Sequence, residues 1–206
     1  MKRLFTASEA NQLWLTDLTE HWTSSGKLYC CTIKDACSNR IVGYSIKSTM
    51  HADIVVDVIE HAVARRGDAA GSILHADRGS QFCSQAIARA LRRNDTVRLM
   101  GRVQSAADNA AMESFWSPLQ RNVLNQQRRW ASRQDPRLAI VVTWIERRYH
   151  RQREQGALGG LTPSKSRPPR NHPWPSWPKP KLAPIPSSDH TSTPYDGKTS
   201  LSGVED

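Results

Sequence analysis

Leu28-Tyr-Cys-Cys-Thr-Ile33 and Ile41-Val-Gly-Tyr-Ser-Ile46 are two short runs rich in β-branched and aromatic residues. Such runs favour β-strands. Ser38 and Asn39 lie between them, and both residue types favour tight turns. The stretch therefore predicts a β-hairpin. The elements before and after it are predicted from their own sequence patterns.

Helical and strand patterns both surround the hairpin. Before it, Leu13-Trp-Leu-Thr-Asp17 predicts a short strand. After it, the apolar residues between His51 and Arg66 recur on one helical face, and Gly67 supplies a helix stop. The elements predicted next are a strand over residues 72–76, a helix over 84–93 and a strand over 96–100. This order predicts an α/β fold, a mixed sheet flanked by helices.

Two further helices are predicted in the second half of the chain. One begins near Ser105, and Pro118 inside it predicts a kink or an early end, because proline lacks the N–H that an interior helix position donates. The other begins at Asp135-Pro136, a helix cap followed by a first-turn proline. The expected core-facing residues are Met112, Phe115, Leu119 and Val123 in the first helix and Leu138, Val141, Val142, Ile145 and Tyr149 in the second.

Composition divides the chain into four parts. We expect an N-terminal lead-in over residues 1–12, a core domain over 13–130, and a C-terminal helix with a basic segment over 131–163. Residues 164–206 hold nine of the twelve prolines, and proline interrupts both helices and central strands. This last part predicts a disordered Pro/Ser-rich tail.

Positive charge is concentrated in the middle of the chain. Lys and Arg number 29 against 19 Asp and Glu, a formal net charge of +10. Residues 84–154 carry fourteen of these basic residues and only six acidic ones. The excess favours a polyanionic partner along this block, most simply nucleic acid. A basic but otherwise ordinary enzyme is the alternative.

The sequence carries no pattern of a membrane or exported protein. Its longest apolar run, from Leu138 to Ile145, is far shorter than the roughly 20 residues that span a membrane. No apolar run follows the basic start Met1-Lys2-Arg3, so no signal peptide is expected. Four cysteines without a C-x-x-C pair indicate reduced thiols rather than disulfides. We therefore expect a cytoplasmic protein with no membrane partner.

Three acidic residues stand at positions where they could meet. Asp17 ends the first strand, Asp77 follows the strand over 72–76, and Glu113 lies beside the apolar stripe of the Ser105 helix. Acids at strand ends of an open α/β sheet face the crevice at its carboxyl edge. Three close carboxylates repel one another unless cations neutralise them, and oxygen ligands suit Mg²⁺ or Mn²⁺. Two such ions about 3.5–4 Å apart can activate an attacking oxygen and stabilise a leaving one.

The spacing of these acids carries little information by itself. With 19 acidic residues among 206, roughly one pair at any chosen spacing is expected by chance. Asp17 can equally be a strand-end turn residue, and Glu113 a surface residue of its helix. On pattern alone, both the metal triad and these structural roles stay open.

The residues around the acids resemble the catalytic boxes of insertion-sequence transposases related to retroviral integrases. His75-Ala-Asp77-Arg-Gly-Ser-Gln-Phe82 and Asp108-Asn-Ala-Ala-Met-Glu113-Ser-Phe-Trp116 resemble their second and third boxes, with 35 residues between the two acids. Leu13-Trp-Leu-Thr-Asp17-Leu-Thr resembles the first box. The resemblance runs from about Phe5 to Pro163, nearly four-fifths of the chain, and its boxes occur in the family's order.

This resemblance implies a ribonuclease-H-like fold and a transposase, a DDE-type polynucleotidyl transferase. Asp17, Asp77 and Glu113 would form its catalytic, metal-binding triad with two Mg²⁺ or Mn²⁺ ions. Such enzymes cleave DNA at the transposon ends, and the freed 3′-hydroxyl then attacks target DNA. The implied partners are these two DNAs and, in the active state, further copies of the chain.

Candidate DNA-binding residues follow from their positions. Arg78 can contact a phosphate or pair with a neighbouring acid. Gln81 and Asn109 can position DNA or water, or hydrogen-bond at a helix entry. The arginines expected as a group to contact phosphates are Arg121, Arg128, Arg129, Arg133, Arg147, Arg148, Arg151 and Arg153.

The sequence also departs from the family pattern. Gln120 stands where the family usually has Lys or Arg, and the adjacent Arg121 points about 100° further around the helix. No helix-turn-helix segment precedes Phe5, so end recognition could come from a partner encoded in an upstream frame. The alternative function is a catalytically inactive, truncated transposase remnant that only binds DNA. A ribonuclease-H-like repair nuclease is a third candidate, which the transposase-type boxes disfavour.

Overall fold

A computed structural model gives the fold of the chain. It describes residues 7–67, 69–76, 82, 84–100, 106–126, 130, 132 and 134–166. The tail from residue 167 onward lies outside this description. So do the candidate site residues Asp77, Arg78, Gln81, Arg128 and Arg129, and also Arg133.

Five strands form one mixed sheet in the order β3-β2-β1-β4-β5. The pairs β1–β2 and β2–β3 are antiparallel, whereas β1–β4 and β4–β5 are parallel. The strands are β1 (Leu13–Thr23), β2 (Gly26–Asp35), β3 (Ile41–Lys47), β4 (Ile73–Ala76) and β5 (Val97–Met100). The predicted α/β class and the β2–β3 hairpin are confirmed, and Asn39 adopts a positive φ of 54° in the connecting turn.

Strand β1 is much longer than predicted. The predicted end at Asp17 is wrong, because the strand continues to Thr23. Its second half pairs with β2 from Leu18 opposite Cys31 to Thr23 opposite Gly26. This half is mostly polar and carries the exposed Trp22, so its strand character comes from pairing with β2 rather than from an apolar run.

Helices α1 (Ala52–Arg66) and α2 (Gln85–Arg93) cover one face of the sheet. Ile54, Val58 and Ile59 of α1 are fully buried against it. Gly67 ends α1 with a φ of 78°, and its N–H donates to the carbonyl of Val63. The predicted helix, its apolar face and its glycine stop are therefore confirmed.

Helix α3 (Ala106–Asn122) covers the opposite face of the sheet. All four residues predicted to face the core are buried, namely Met112, Phe115, Leu119 and Val123. The helix runs on for four residues beyond Pro118, so the early end that this proline allowed does not occur. Pro118 itself is buried, and Asn122 Nδ2 donates to its carbonyl oxygen at 2.7 Å.

The last helical segment has an unexpected geometry. A short helix α4 (Gln134–Leu138) leads into a π-helix over Ala139–Tyr149. Ile140, Trp144, Ile145 and Tyr149 are buried in the core with α3. Val142, which α-helical periodicity places in the core, is 57% exposed. That prediction was wrong because i→i+5 hydrogen bonding widens each turn and shifts the inward-facing positions.

Candidate active site at the sheet surface under helix α3

Asp17 lies in the middle of β1 on the face that α3 covers. Side chains alternate between faces along a strand, so Asp17 shares a face with Leu15, which is buried in the α3 core. Asp17 pairs with Thr32 of β2 and is half-buried. Its Oδ1 accepts a hydrogen bond from the backbone N–H of Leu18 at 2.8 Å, which orients the carboxylate along the strand.

The parallel pairing of β1 with β4 places Asp17 at the carboxyl edge of that part of the sheet. The paired residues run from Leu13 opposite Ile73 to Leu15 opposite His75, and β4 ends at Ala76. Asp17 comes two residues after the last paired position of β1. The ligand-binding crevice of an α/β sheet lies at this edge, as the sequence analysis expected, although the strand itself does not end there.

Glu113 is carried by α3 above this same face. Met112 and Phe115 bury the inner side of the helix in the core, while Glu113 and Ser114 are exposed. Helix α3 packs directly on β1. The described part of the fold thus brings the strand that bears Asp17 and the helix that bears Glu113 together. Asn109 belongs to the first turns of α3, but its side chain is not described.

Lys34 links α3 to β2, the strand beside β1, and the sequence analysis did not single it out. It lies on β2 directly opposite Leu15 and is only 2% exposed. Its Nζ donates to the carbonyl oxygen of Ala111 at 2.8 Å and to Ser114 Oγ at 3.1 Å. Burial, together with the charge of Arg153, lowers the pKa of this ammonium group to about 8. The signal in the sequence was a lysine at a strand position whose side chain faces the core.

Four of the described basic candidates lie at or just after the end of the π-helix. Arg147, Arg148 and Arg151 are exposed and Arg153 is half-buried; Arg121 is exposed near the end of α3. A groove of about 400 Å³ lies here. Its lining residues are Asn122, Trp144, Arg148, Gln152 and Arg153. The Arg148 guanidinium lies over the Trp144 ring at 5.8 Å, which holds the charge at the groove.

The described carboxylates suit a hard divalent cation, but they do not form a complete metal site. Asp17 and Glu113 offer only oxygen donors, the ligands that Mg²⁺ and Mn²⁺ prefer. Among the residues that the structure describes, no three His, Cys, Asp or Glu side chains form a group able to hold a metal ion. Position 77, the third expected ligand, is not among those residues.

The described helices include none long and apolar enough to cross a membrane. The longest of them, α3, has polar and charged residues on its outer side, including Glu113, Gln120 and Arg121.

Comparison with known proteins relates the chain to one family. Residues 7–106 match the family described as Integrase core domain, a range that includes positions 17 and 77 and ends before 113. The chain is 32% identical over 167 residues to the insertion element IS600 uncharacterized 31 kDa protein of Shigella sonnei, covering 81% of this chain and 61% of that protein. It is 34% identical over 161 residues to transposase InsF for insertion sequence IS3A of Escherichia coli K12, covering 78% and 55%. The chain spans roughly half to three-fifths of the length of these relatives.

Solved structures share the fold at low sequence identity. A simian T-cell lymphotropic virus intasome, in complex with PP2A regulatory subunit B56 gamma, contains a chain with a TM-score of 0.64 at 13% identity, covering 89% of this chain and 62% of that one. The HTLV-2 integrase catalytic core domain in complex with magnesium, in its trimeric form, gives a TM-score of 0.57 at 13% identity, covering 77% and 97%. The five-stranded mixed sheet with helices on both faces is thus the ribonuclease-H-like fold of integrase catalytic cores.

Proposed function

Because this chain belongs to the insertion-sequence transposases that carry an integrase core domain, we propose that it catalyses metal-dependent DNA cleavage and strand transfer. The observation that carries the proposal is the stacking of α3 on the strand that bears Asp17. This packing of the two elements supports a site that Asp17 of the first box and Glu113 of the third box would share, at the edge where α/β folds bind ligands.

In this proposal Asp17, Asp77 and Glu113 hold two Mg²⁺ or Mn²⁺ ions. Bound there, the ions would activate the attacking oxygen of water or a 3′-hydroxyl and stabilise the leaving oxygen of the phosphodiester. The chain's own part would be to hold the carboxylates of Asp17 and Glu113 rigidly in place, so that whatever they bind is kept in a fixed orientation. Asp17 is held by its strand and by the Leu18 N–H, and Glu113 by a helix anchored through Met112 and Phe115. Rigid support of this kind keeps the reacting groups aligned.

DNA would follow the basic side chains that lie around this face. The group proposed to contact DNA comprises Arg78, Gln81, Asn109, Arg121, Arg128, Arg129, Arg147, Arg148, Arg151 and Arg153. Among its described members, the exposed Arg147, Arg148 and Arg151 supply positive charge along one helical segment. Each lost phosphate contact should reduce the slope of log affinity against log salt concentration by about 0.9. The test is to replace Arg147, Arg148 or Arg151 by glutamine and to measure DNA affinity over a range of salt concentrations. The slope for each variant is then compared with that of the parent chain.

The proposed setting is the bacterial cytoplasm, where transposon ends and target DNA are the substrates. We propose that the active form is a homo-oligomer, because two DNA ends must be joined to one target. Recognition of the ends would come from a helix-turn-helix segment encoded in an upstream frame. The core domain over 13–130 would supply the chemistry, and the basic segment over 131–163 would supply contacts to DNA.

The decisive experiment is a Mn²⁺-dependent nicking and joining assay on DNA that carries the ends of the element. Asp17→Asn, Asp77→Asn and Glu113→Gln should each abolish the products while leaving DNA binding in place. Asp53→Asn is the matched control, because Asp53 is an exposed acid on α1, across the sheet from Asp17. DNA binding without any metal-dependent product in the unaltered chain would contradict the proposal and identify the DNA-binding remnant instead.

A further inference from the structure

Lys34 is a buried cation that forms no salt bridge with any carboxylate in the described part of the chain. Its side chain is almost completely enclosed, and both of its hydrogen-bond acceptors are neutral oxygens on α3. Enclosing an ammonium group in this way is unfavourable, and apolar residues of similar volume often stabilise such positions more. Stability of the core therefore gives no reason for a lysine here.

The two acceptors lie on either side of Glu113. Ala111 is two residues before it and Ser114 is the next residue, and Ser114 Oγ also donates to the Ala111 carbonyl at 2.6 Å. The ammonium group, the hydroxyl and the carbonyl form a closed set of three contacts around one turn of α3. Lys34 reaches this turn from β2, where it lies opposite Leu15.

We propose that Lys34 is a positioning residue that fixes the turn of α3 carrying Glu113 relative to the strand carrying Asp17. The proposal rests on the proposed function, because it assigns Glu113 to the catalytic site. Lys34 itself contacts neither substrate nor metal. It acts through the Ala111 carbonyl and the Ser114 hydroxyl, which cannot shift along the sheet without losing their donor.

Apolar packing alone does not fix the position of the α3 turn that carries Glu113. Apolar contacts from Met112 and Phe115 bury the helix but are not directional, so they allow small slides and rotations of α3. Hydrogen bonds from a charged donor constrain distance and angle. A misplacement of about 1 Å can reduce catalysis about a hundredfold.

The test uses the full chain with Lys34→Met, which removes the ammonium group and keeps an unbranched apolar stem. Lys27→Met is the matched control, since Lys27 lies on the same strand in an exposed pair with Glu20. Ile59→Ala, in the α1 core across the sheet, controls for loss of stability. Thermal midpoints, hydrogen exchange of residues 110–117, and Mn²⁺-dependent cleavage per folded molecule are measured for each variant.

For Lys34→Met we expect an unchanged or higher thermal midpoint, faster hydrogen exchange in 110–117 but not in α1, and a roughly ten- to hundredfold lower turnover with little change in KM. Ile59→Ala should show the reverse, a lower midpoint with turnover retained, and Lys27→Met should match the parent chain.

Unchanged exchange of 110–117 in Lys34→Met would overturn the positioning role, even if the parent chain cleaves no DNA. Altered exchange with unchanged turnover, in a parent chain that does cleave, would overturn its importance for catalysis. Absence of metal-dependent cleavage in the parent chain counts against the proposed function alone.

Discussion

Gly43 decides how closely α1 can approach the sheet. A Cβ atom at this position would overlap the carbonyl oxygen of Val58 and lie 3.0 Å from the Cβ of Ala62. Both contacts are on α1, and one is backbone, which cannot rotate away. Glycine is therefore required here by helix-to-strand packing and not by the backbone conformation of the strand.

Gly43→Ala should destabilise the protein by about 1–3 kcal/mol, the usual effect of overpacking. Urea unfolding measures the difference. Gly156→Ala is the control, because a Cβ at Gly156 meets no atom within 4 Å. Equal destabilisation by the two substitutions would show that the contact with Val58 does not set the packing distance.

Asp35 illustrates why a buried acid need not belong to the catalytic site. Its Oδ1 accepts from the N–H and hydroxyl of Ser38, and its Oδ2 accepts from Asn11 N–H and from the Arg66 guanidinium at 2.9 Å. Asp35 pairs with Trp14 and so faces α1, across the sheet from Asp17. Both carboxylate oxygens of Asp35 already accept hydrogen bonds within the fold. Asp35 therefore has a structural role, which is to hold the hairpin turn and α1 together.

At the scale of elements, the π-helix determines which residues of 139–149 enter the core. The α-helical period correctly places Ile145 and Tyr149 inside, but it also places Val142 there and misses the buried Ile140 and Trp144. In the widened turns, residues four to five positions apart share one side, which places Ile140, Trp144 and Tyr149 together in the core. Tertiary packing thus overrides the local period.

Ile140→Ala should cost about 2–5 kcal/mol, since Ile140 is 1% exposed. Val142→Ala should change stability by less than about 0.5 kcal/mol, since its side chain is mostly in solvent. Chemical denaturation of the two variants compares them directly. The opposite ranking would mean that this segment is an ordinary α-helix in solution.

At the scale of the whole molecule, a polar cluster joins the two helical layers around the edge strand β3. Arg65 of α1 pairs with Glu146 of the π-helix at 2.8 Å, and His150 Nδ1 lies 3.5 Å from Glu146. His150 Nε2 accepts from the backbone N–H of Ile41 at 3.0 Å, so the neutral ring is required. The cluster therefore links both layers to β3.

These contacts predict a loss of stability in acid. The adjacent His150 ring and the Arg65 guanidinium lower the pKa of Glu146 from 4.5 to about 2, so the stabilisation from its ionised form is present above pH 4.5 and is lost as the pH falls towards 2. Burial lowers the pKa of His150 below 6.5, and the charges of Arg40 and Arg65 also oppose its protonation. Acidification below pH 6.5 therefore favours the unfolded state, which binds the proton more readily.

Urea unfolding at a series of pH values tests this. The free energy of unfolding should fall from pH 6.5 downward, and Glu146→Gln should reduce the part of the fall between pH 4.5 and 2. Glu20→Gln removes an exposed pair with Lys27 and should follow the parent profile. A Glu146→Gln profile as steep as the parent's in that range would exclude this cluster as the cause.

The sequence by itself determined the identity and order of the strands and helices, the buried stripe of α3 and the family of the chain. These features are local, because β-branched runs, helical periodicity and catalytic boxes are each readable within a few neighbouring residues. Tertiary structure alone decided the length of β1, the burial of Ile140 and Trp144 and the exposure of Val142 in the π-helix, and the burial of Lys34. Each of these depends on partners far along the chain: β1 on pairing with β2, the π-helix on packing with α3, and Lys34 on oxygens nearly eighty residues away.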